Sequence, residues 1–275
     1  MNEKYPYRLI TNKEVTYLQF SLWEKEDKLV HGFTTRHGGV STGILASLNL
    51  GFNRGDDKEK VYENYQRVCK ALEVECSSLV LSKQVHETHI EKVTEEEKGN
   101  GFNRPNKWES VDGLYTRTKG VTLVTHFADC VPLFFYAPGY DIVGMAHAGW
   151  RGTVGQIGRK MVELWVEKEC IPLSAIQVAI GPSIGPCCFE VDKEVADIFK
   201  AVFGEEDFIQ NTSKEQKYNI DLWACNKQVL MNCGILEHNI VVSKLCTCCH
   251  DNLFFSHRKT KGQRGTLGGF MALKD

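Results

Sequence analysis

The chain has 275 residues, 42% of them hydrophobic and 25% charged, with a formal net charge of −2 at pH 7. These values support a sizeable buried core and exclude a disordered chain, and they give no broad attraction to nucleic acid or an anionic membrane. No stretch approaches the roughly 20 apolar residues of a bilayer span, and the opening MNEKYPYRLI lacks the apolar run of a signal peptide. Eleven cysteines, an odd number, fit a reducing compartment better than a disulfide framework. The expectation is a cytoplasmic protein forming one domain over residues 1–275, with a homodimer as the commonest assembly for such a chain.

In chain order, HGFTTRHGGVSTG is a polar, Gly-punctuated loop that carries Arg36 and His37. It leads into SLNLGFNRGDD with Asn49, Asn53 and Arg54. Backbone N–H groups in such loops, with arginine nearby, make anion sites; a plain turn-rich hairpin fits the same residues. Asp56 and Asp57 precede KEKVYENYQRVCKALEV, where Val61, Tyr65, Val68 and Leu72 recur at helical spacing. LVLS then runs into KQVHETH. The stretch 95–109 is rich in Gly, Asn and Pro and is read as a long surface loop, able to act as a flap. Strands are expected at 121–127, 132–138, 141–147 and 175–180, the middle two joined as a hairpin by the Pro138–Asp141 turn. Further helices are expected after Thr153, Asp192 and Asp221, the last stopped by Gly234. Strands and helices do not alternate strictly. The expected class is therefore α+β, with mixed, sandwich-like sheets flanked by helices.

Three residues have the chemistry of one metal site: His86 in KQVHETH, Cys130 in HFADCVPLFFY and His147 in GMAHAGWRGT. Imidazole and thiolate are borderline-soft donors suited to zinc or copper, and three protein ligands leave a fourth position open, as catalytic zinc requires. The hairpin brings Cys130 and His147 to one end of a sheet. His89 is a competing ligand. Asp112 and Asp129 are candidates to orient a ligating histidine. Arg151, beside glycines in AGWRG, is a candidate for phosphate or carboxylate. Taken singly, Cys130 and His147 also fit as ordinary core residues. Cys246, Cys248, Cys249 and His250 form a second close-set group, and Cys187–Cys188 a vicinal pair. Reduced, metal-free cysteines are the expectation for both.

The phrases FTTRHGGVSTG, SLNLGFNRGDD, KQVH, VDGLYT, ADCVPL, AHAGWRGT and AIGPSIGPCCFEV, with a final FFSHRK, stand in an order that resembles the laccase-domain family of YlmD and YfiH proteins. The resemblance covers about Gly32 to Arg264, and ADC followed by AHAGWRGT is its most specific part. It implies a zinc-dependent purine nucleoside phosphorylase acting on adenosine, inosine and guanosine. It also implies methylthioadenosine phosphorolysis and adenosine deamination. His86, Cys130 and His147 would be the metal ligands and catalytic centre. Arg36, Asn49, Arg54 and Arg151 are carried forward as binding candidates for nucleoside and phosphate. The C-terminal pattern departs from the family at Gln263–Arg264–Gly265, so Arg264 receives no role. A copper-dependent polyphenol oxidase is disfavoured, because the chain lacks the extra histidine pairs that chemistry needs. Cys130 and His147 also suit a metal-free thiol hydrolase, and the polar loops suit a binding module without turnover.

Overall fold

Two six-stranded sheets face one another across an apolar layer. The computed structural model describes residues 5–274. The first sheet runs, in spatial order, Tyr7–Asn12, Val15–Phe20, Leu29–Thr34, Leu267–Leu273, Thr122–Phe127 and Leu79–Leu81. All its pairings are antiparallel except the last. The second sheet runs Ile240–Val242, Gln177–Ile180, Val131–Ala137, Ile142–Ala148, Gly113–Thr116 and Ile90–Lys92, with parallel pairs at both edges. A small antiparallel sheet of Glu190–Asp192, Lys217–Ile220 and Ile209–Asn211 stands apart. The result is a compact α+β domain.

The core explains why these segments pair. Val131–Ala137 and Ile142–Ala148 are buried on both faces, so they read as continuous apolar runs rather than alternations. One face meets Phe20, Phe33 and Phe127 of the first sheet, with Trp23 from the turn that follows Val15–Phe20. The other is covered by the helices Ile157–Glu167 and Leu222–Asn232. Lys58–Leu72 covers the outer face of the first sheet. The Pro138–Asp141 turn closes the expected hairpin, with Gly139 at φ 80° and Asp141 at φ 46°.

Two expectations need correction. The helix placed after Thr153 is two helices, Trp150–Val154 and Ile157–Glu167. Gly155 and Gln156 break it, the latter at φ 55°, and Thr153 lies inside the first piece, where its hydroxyl accepts from Asn226 Nδ2 at 3.0 Å instead of capping. The helix expected after Asp192 is present as Lys193–Phe203, although the Asp192 carboxylate makes no cap and pairs with Lys217. The stretch 95–109 is tied down rather than a free flap. Thr94 and Glu97 form a capping box, Asn106 Nδ2 donates to Leu81 O at 3.0 Å, and the half-exposed Lys107 reaches Glu97 at 2.6 Å.

Candidate metal centre and anion pocket

The link Ala128–Cys130 carries the chain from the first sheet to the second, and Asp129 takes φ 89° to make the turn. Pro132 pairs with His147 in the hairpin, so Cys130 and His147 stand at the same sheet end. His86 comes from the loop after Leu79–Leu81 and itself has φ 68°. The donor atoms of His86, Cys130 and His147 all lie within 4.8 Å of one another, and the two imidazole rings are edge to face at 4.9 Å. A Cβ on Gly149 would sit 3.0 Å from His86 Cδ2 and 3.1 Å from Cys130 Sγ. Glycine is therefore what lets the backbone pass the three donors.

Asp112 organises this end. Its carboxylate accepts from the backbone N–H of Val85 (3.1 Å), His86 (3.0 Å) and Glu87 (3.0 Å). It also takes His147 Nδ1 at 2.8 Å, which leaves Nε2 as the free donor. Burial opposes ionisation of Asp112, but His147 and these N–H groups hold the carboxyl below its ordinary range. Burial likewise opposes the Cys130 thiolate, yet His147 and then His86 bring the thiol down to about 6. His147 is raised to about 9 against its own burial by Cys130 and Asp112. The other candidate orienter, Asp129, does something else: it accepts from Thr247 Oγ1 at 2.7 Å and Arg258 N at 2.6 Å. His89 is exposed and paired with Ser110 O and Glu91, outside the donor trio.

The trio opens into a cavity of about 780 Å³. Of the binding candidates, Arg54 and Arg151 line it. Arg36 and Asn49 do not. The Arg36 guanidinium is used by Ala46 O and Asp251 O, both at 2.9 Å, and lies over the Phe255 ring. Asn49 is fully buried and bonded to Gly51, Asp56 and Thr266. Both hold loops together.

Two groups in the cavity were not read from the sequence. The first is Arg264. Its Nη1 donates to Thr266 Oγ1 at 3.1 Å, and Arg54 Nε approaches the same oxygen at 3.4 Å. Arg264 Nε is buried with no partner, and burial followed by repulsion from Arg54 lowers this guanidinium to about 10. Nothing local marks Arg264; it sits on a polar loop of ordinary composition. The second is an aromatic wall of Phe52, Tyr62 and Phe102, with ring centroids 5.0 Å (Phe52–Tyr62) and 5.4 Å (Tyr62–Phe102) apart. Phe52 and Phe102 lie inside segments that the sequence singled out for their glycines and asparagines.

Known proteins resemble this chain along nearly its whole length. Residues 30–274 match the family model described as multi-copper polyphenol oxidoreductase laccase. The purine nucleoside phosphorylase YlmD of Bacillus subtilis is 38% identical over 277 aligned residues, covering 100% of both chains. The protein of that name from Geobacillus stearothermophilus is 44% identical over 90% of each. A prokaryotic protein named adenosine deaminase RL5 is 35% identical over 84% of this chain and 88% of its own. The crystal structure of Bacillus licheniformis YfiH superposes with a TM-score of 0.91 at 36% identity, covering 98% of this chain and 100% of that one. The chain belongs to the laccase-domain family that includes the YlmD and YfiH proteins.

Proposed function

We propose that this chain is a zinc-dependent purine nucleoside phosphorylase. Its substrates are adenosine, inosine, guanosine and 5′-methylthioadenosine, and adenosine deamination is a second activity. The observation that carries the reading is one cavity holding both a three-donor metal cradle and two arginines on a single hydroxyl, one with an unpaired N–H. Like-charged guanidiniums with an unsatisfied donor are unfavourable until an anion joins them. The relatives named purine nucleoside phosphorylase support phosphate as that anion.

In phosphorolysis a phosphate oxygen bonds to C1′ of the ribose as the C1′–N9 bond breaks, giving ribose 1-phosphate and the free base. Arg54 and Arg264 neutralise the phosphate and fix its direction of attack. Phe52, Tyr62 and Phe102 offer π faces to the purine. Asp112 keeps the His147 ring in one tautomer and one orientation. The His–Cys–His set fits zinc by donor chemistry, by spacing and by the gap that Gly149 leaves. Bound there, zinc would supply a Lewis acid with one open position.

The relative named adenosine deaminase favours hydrolytic loss of the 6-amino group as the second activity. The two reactions separate cleanly. Adenine released from adenosine only when phosphate is present supports phosphorolysis, and inosine formed without phosphate supports deamination. Arg264→Gln should raise the KM for phosphate at least tenfold and leave inosine formation nearly unchanged. Adenine release that ignores phosphate would overturn the reading. Turnover that survives chelation but not thiol alkylation would return Cys130 and His147 to a nucleophile–base pair.

A further inference from the structure

A second cluster of cysteines lies outside the cavity. Cys187 and Cys188 occupy a turn in which Cys188 N and Phe189 N both donate to Gly185 O, at 3.0 and 2.9 Å. Cys246 and Cys249 lie on a distant segment, held alongside by Ser183 N→Leu245 O (3.2 Å) and Thr247 N→Ser183 O (3.0 Å). The four sulfurs all lie within 4.8 Å of one another. Cys249 Sγ is 3.5 Å from that of Cys187 and 3.4 Å from that of Cys188. None of the four is in a disulfide. A tetrahedron of thiolates at Zn–S ≈ 2.3 Å has sulfur–sulfur edges of roughly 3.8 Å.

We propose that Cys187, Cys188, Cys246 and Cys249 form a second, structural metal site that binds one zinc ion as four thiolates. Adjacent residues serve as ligands together because they lie in a turn. On a strand, Cys187 and Cys188 would point to opposite faces; here the bent backbone turns both sulfurs toward Cys249. The site has the supports a thiolate cluster needs. Gly185 N–H donates to Cys246 Sγ at 3.3 Å. Arg258 places positive charge beside the loop, donating to Cys188 O at 2.9 Å and Glu190 O at 3.0 Å. Four protein ligands close the coordination sphere, which marks a structural rather than a catalytic ion. Cys248 stands outside the set, and His250 turns its Nδ1 to Cys246 O.

The position gives the site a purpose. Ile184 and Phe189, flanking the first cysteine pair, line the cavity, as does Arg258 beyond the second. A metal joining the two segments fixes that wall. Metal binding by these cysteines exchanges four thiol protons for one divalent ion, with no oxidant required.

The test is metal content and cobalt spectroscopy on the full chain, purified under reduction and reconstituted with Zn²⁺ or Co²⁺. The wild type is expected to hold about two zinc ions per chain, Cys249→Ser about one and His86→Ala about one. The Co²⁺ form should show the intense thiolate charge-transfer bands of a tetrathiolate site in His86→Ala but not in Cys249→Ser. Cys187→Ser, at an exposed position, provides a second variant should Cys249→Ser fold poorly. The proposal is overturned if the wild type holds one ion that Cys249→Ser and Cys187→Ser both retain. It is equally overturned if mass spectrometry of the native protein finds the four cysteines in disulfides without metal. Neither result bears on nucleoside turnover at the His86 centre.

Discussion

Asp112 is the residue on which the proposed centre turns, because one buried carboxylate holds both the His86 loop and the His147 ring. Asp112→Asn keeps the size but replaces one acceptor with an NH₂ that faces N–H donors. We expect about 2 kcal/mol lower stability by urea denaturation and 10–100-fold weaker metal binding in a chelator competition. Gly149→Ala adds a methyl among the three donors. It should abolish zinc binding at this centre while leaving the thermal transition cooperative; zinc retained at wild-type affinity would refute the cradle. The trio was legible in the sequence because its residue types are rare and chemically specific. The arginines were not. Arg36 and Arg264 look alike as letters, and only the surroundings show that Arg36 is bonded out while Arg264 keeps an unpaired Nε. Composition carries no record of which donors the backbone has already used.

Elements were legible where capping chemistry was local. Asp57 accepts from Glu59 N, and Asp221 accepts from Trp223 N (2.9 Å) and Ala224 N (3.0 Å), so both helices begin where expected. Asp221→Ala removes two N–H partners and should lower stability by about 1–2 kcal/mol, read as a shift in the urea midpoint without a change in slope. The break at Gly155–Gln156 was not legible, because its cause is tertiary. A side chain at Gly155 would meet Thr88 Cγ2 at 2.7 Å, so the helix end that carries Arg151 must press close to the loop of His86. The same holds for 95–109. Gly and Asn signal a loop correctly, but it is Asn100 and Asn106, bonding back to Leu81 O, that make it a fixed wall of the cavity.

At the scale of the molecule, the C-terminal strand Leu267–Leu273 lies between Leu29–Thr34 and Thr122–Phe127. No local pattern foretells an insertion between partners so distant in sequence, whereas the hairpin at 131–148 follows from its turn. The layer between the sheets also buries an ionisable group. His31 is 3% exposed, and its ring is stacked at 5.8 Å on Phe20 and edge to face at 5.2 Å with Trp23. Burial lowers its pKa to about 3. Its Nε2 accepts from Phe20 N–H at 2.9 Å, an interaction only the neutral ring can make. The folded value lies below the unfolded one, so the unfolded chain takes up the proton first. Stability from this residue is complete above pH about 6.5 and falls by about 1.4 kcal/mol per unit as pH drops toward 3. His31→Gln keeps an acceptor for Phe20 N–H and has no proton to gain. Urea midpoints measured for both chains between pH 4 and 7 should therefore converge as pH falls, whatever the variant loses at neutral pH. His126, lowered to about 4 by burial and by His147, Arg54 and Arg264, leaves a residual slope common to both chains. A difference between the two chains that stays constant across this range would mean that the ring is protonated, or solvated, inside the core.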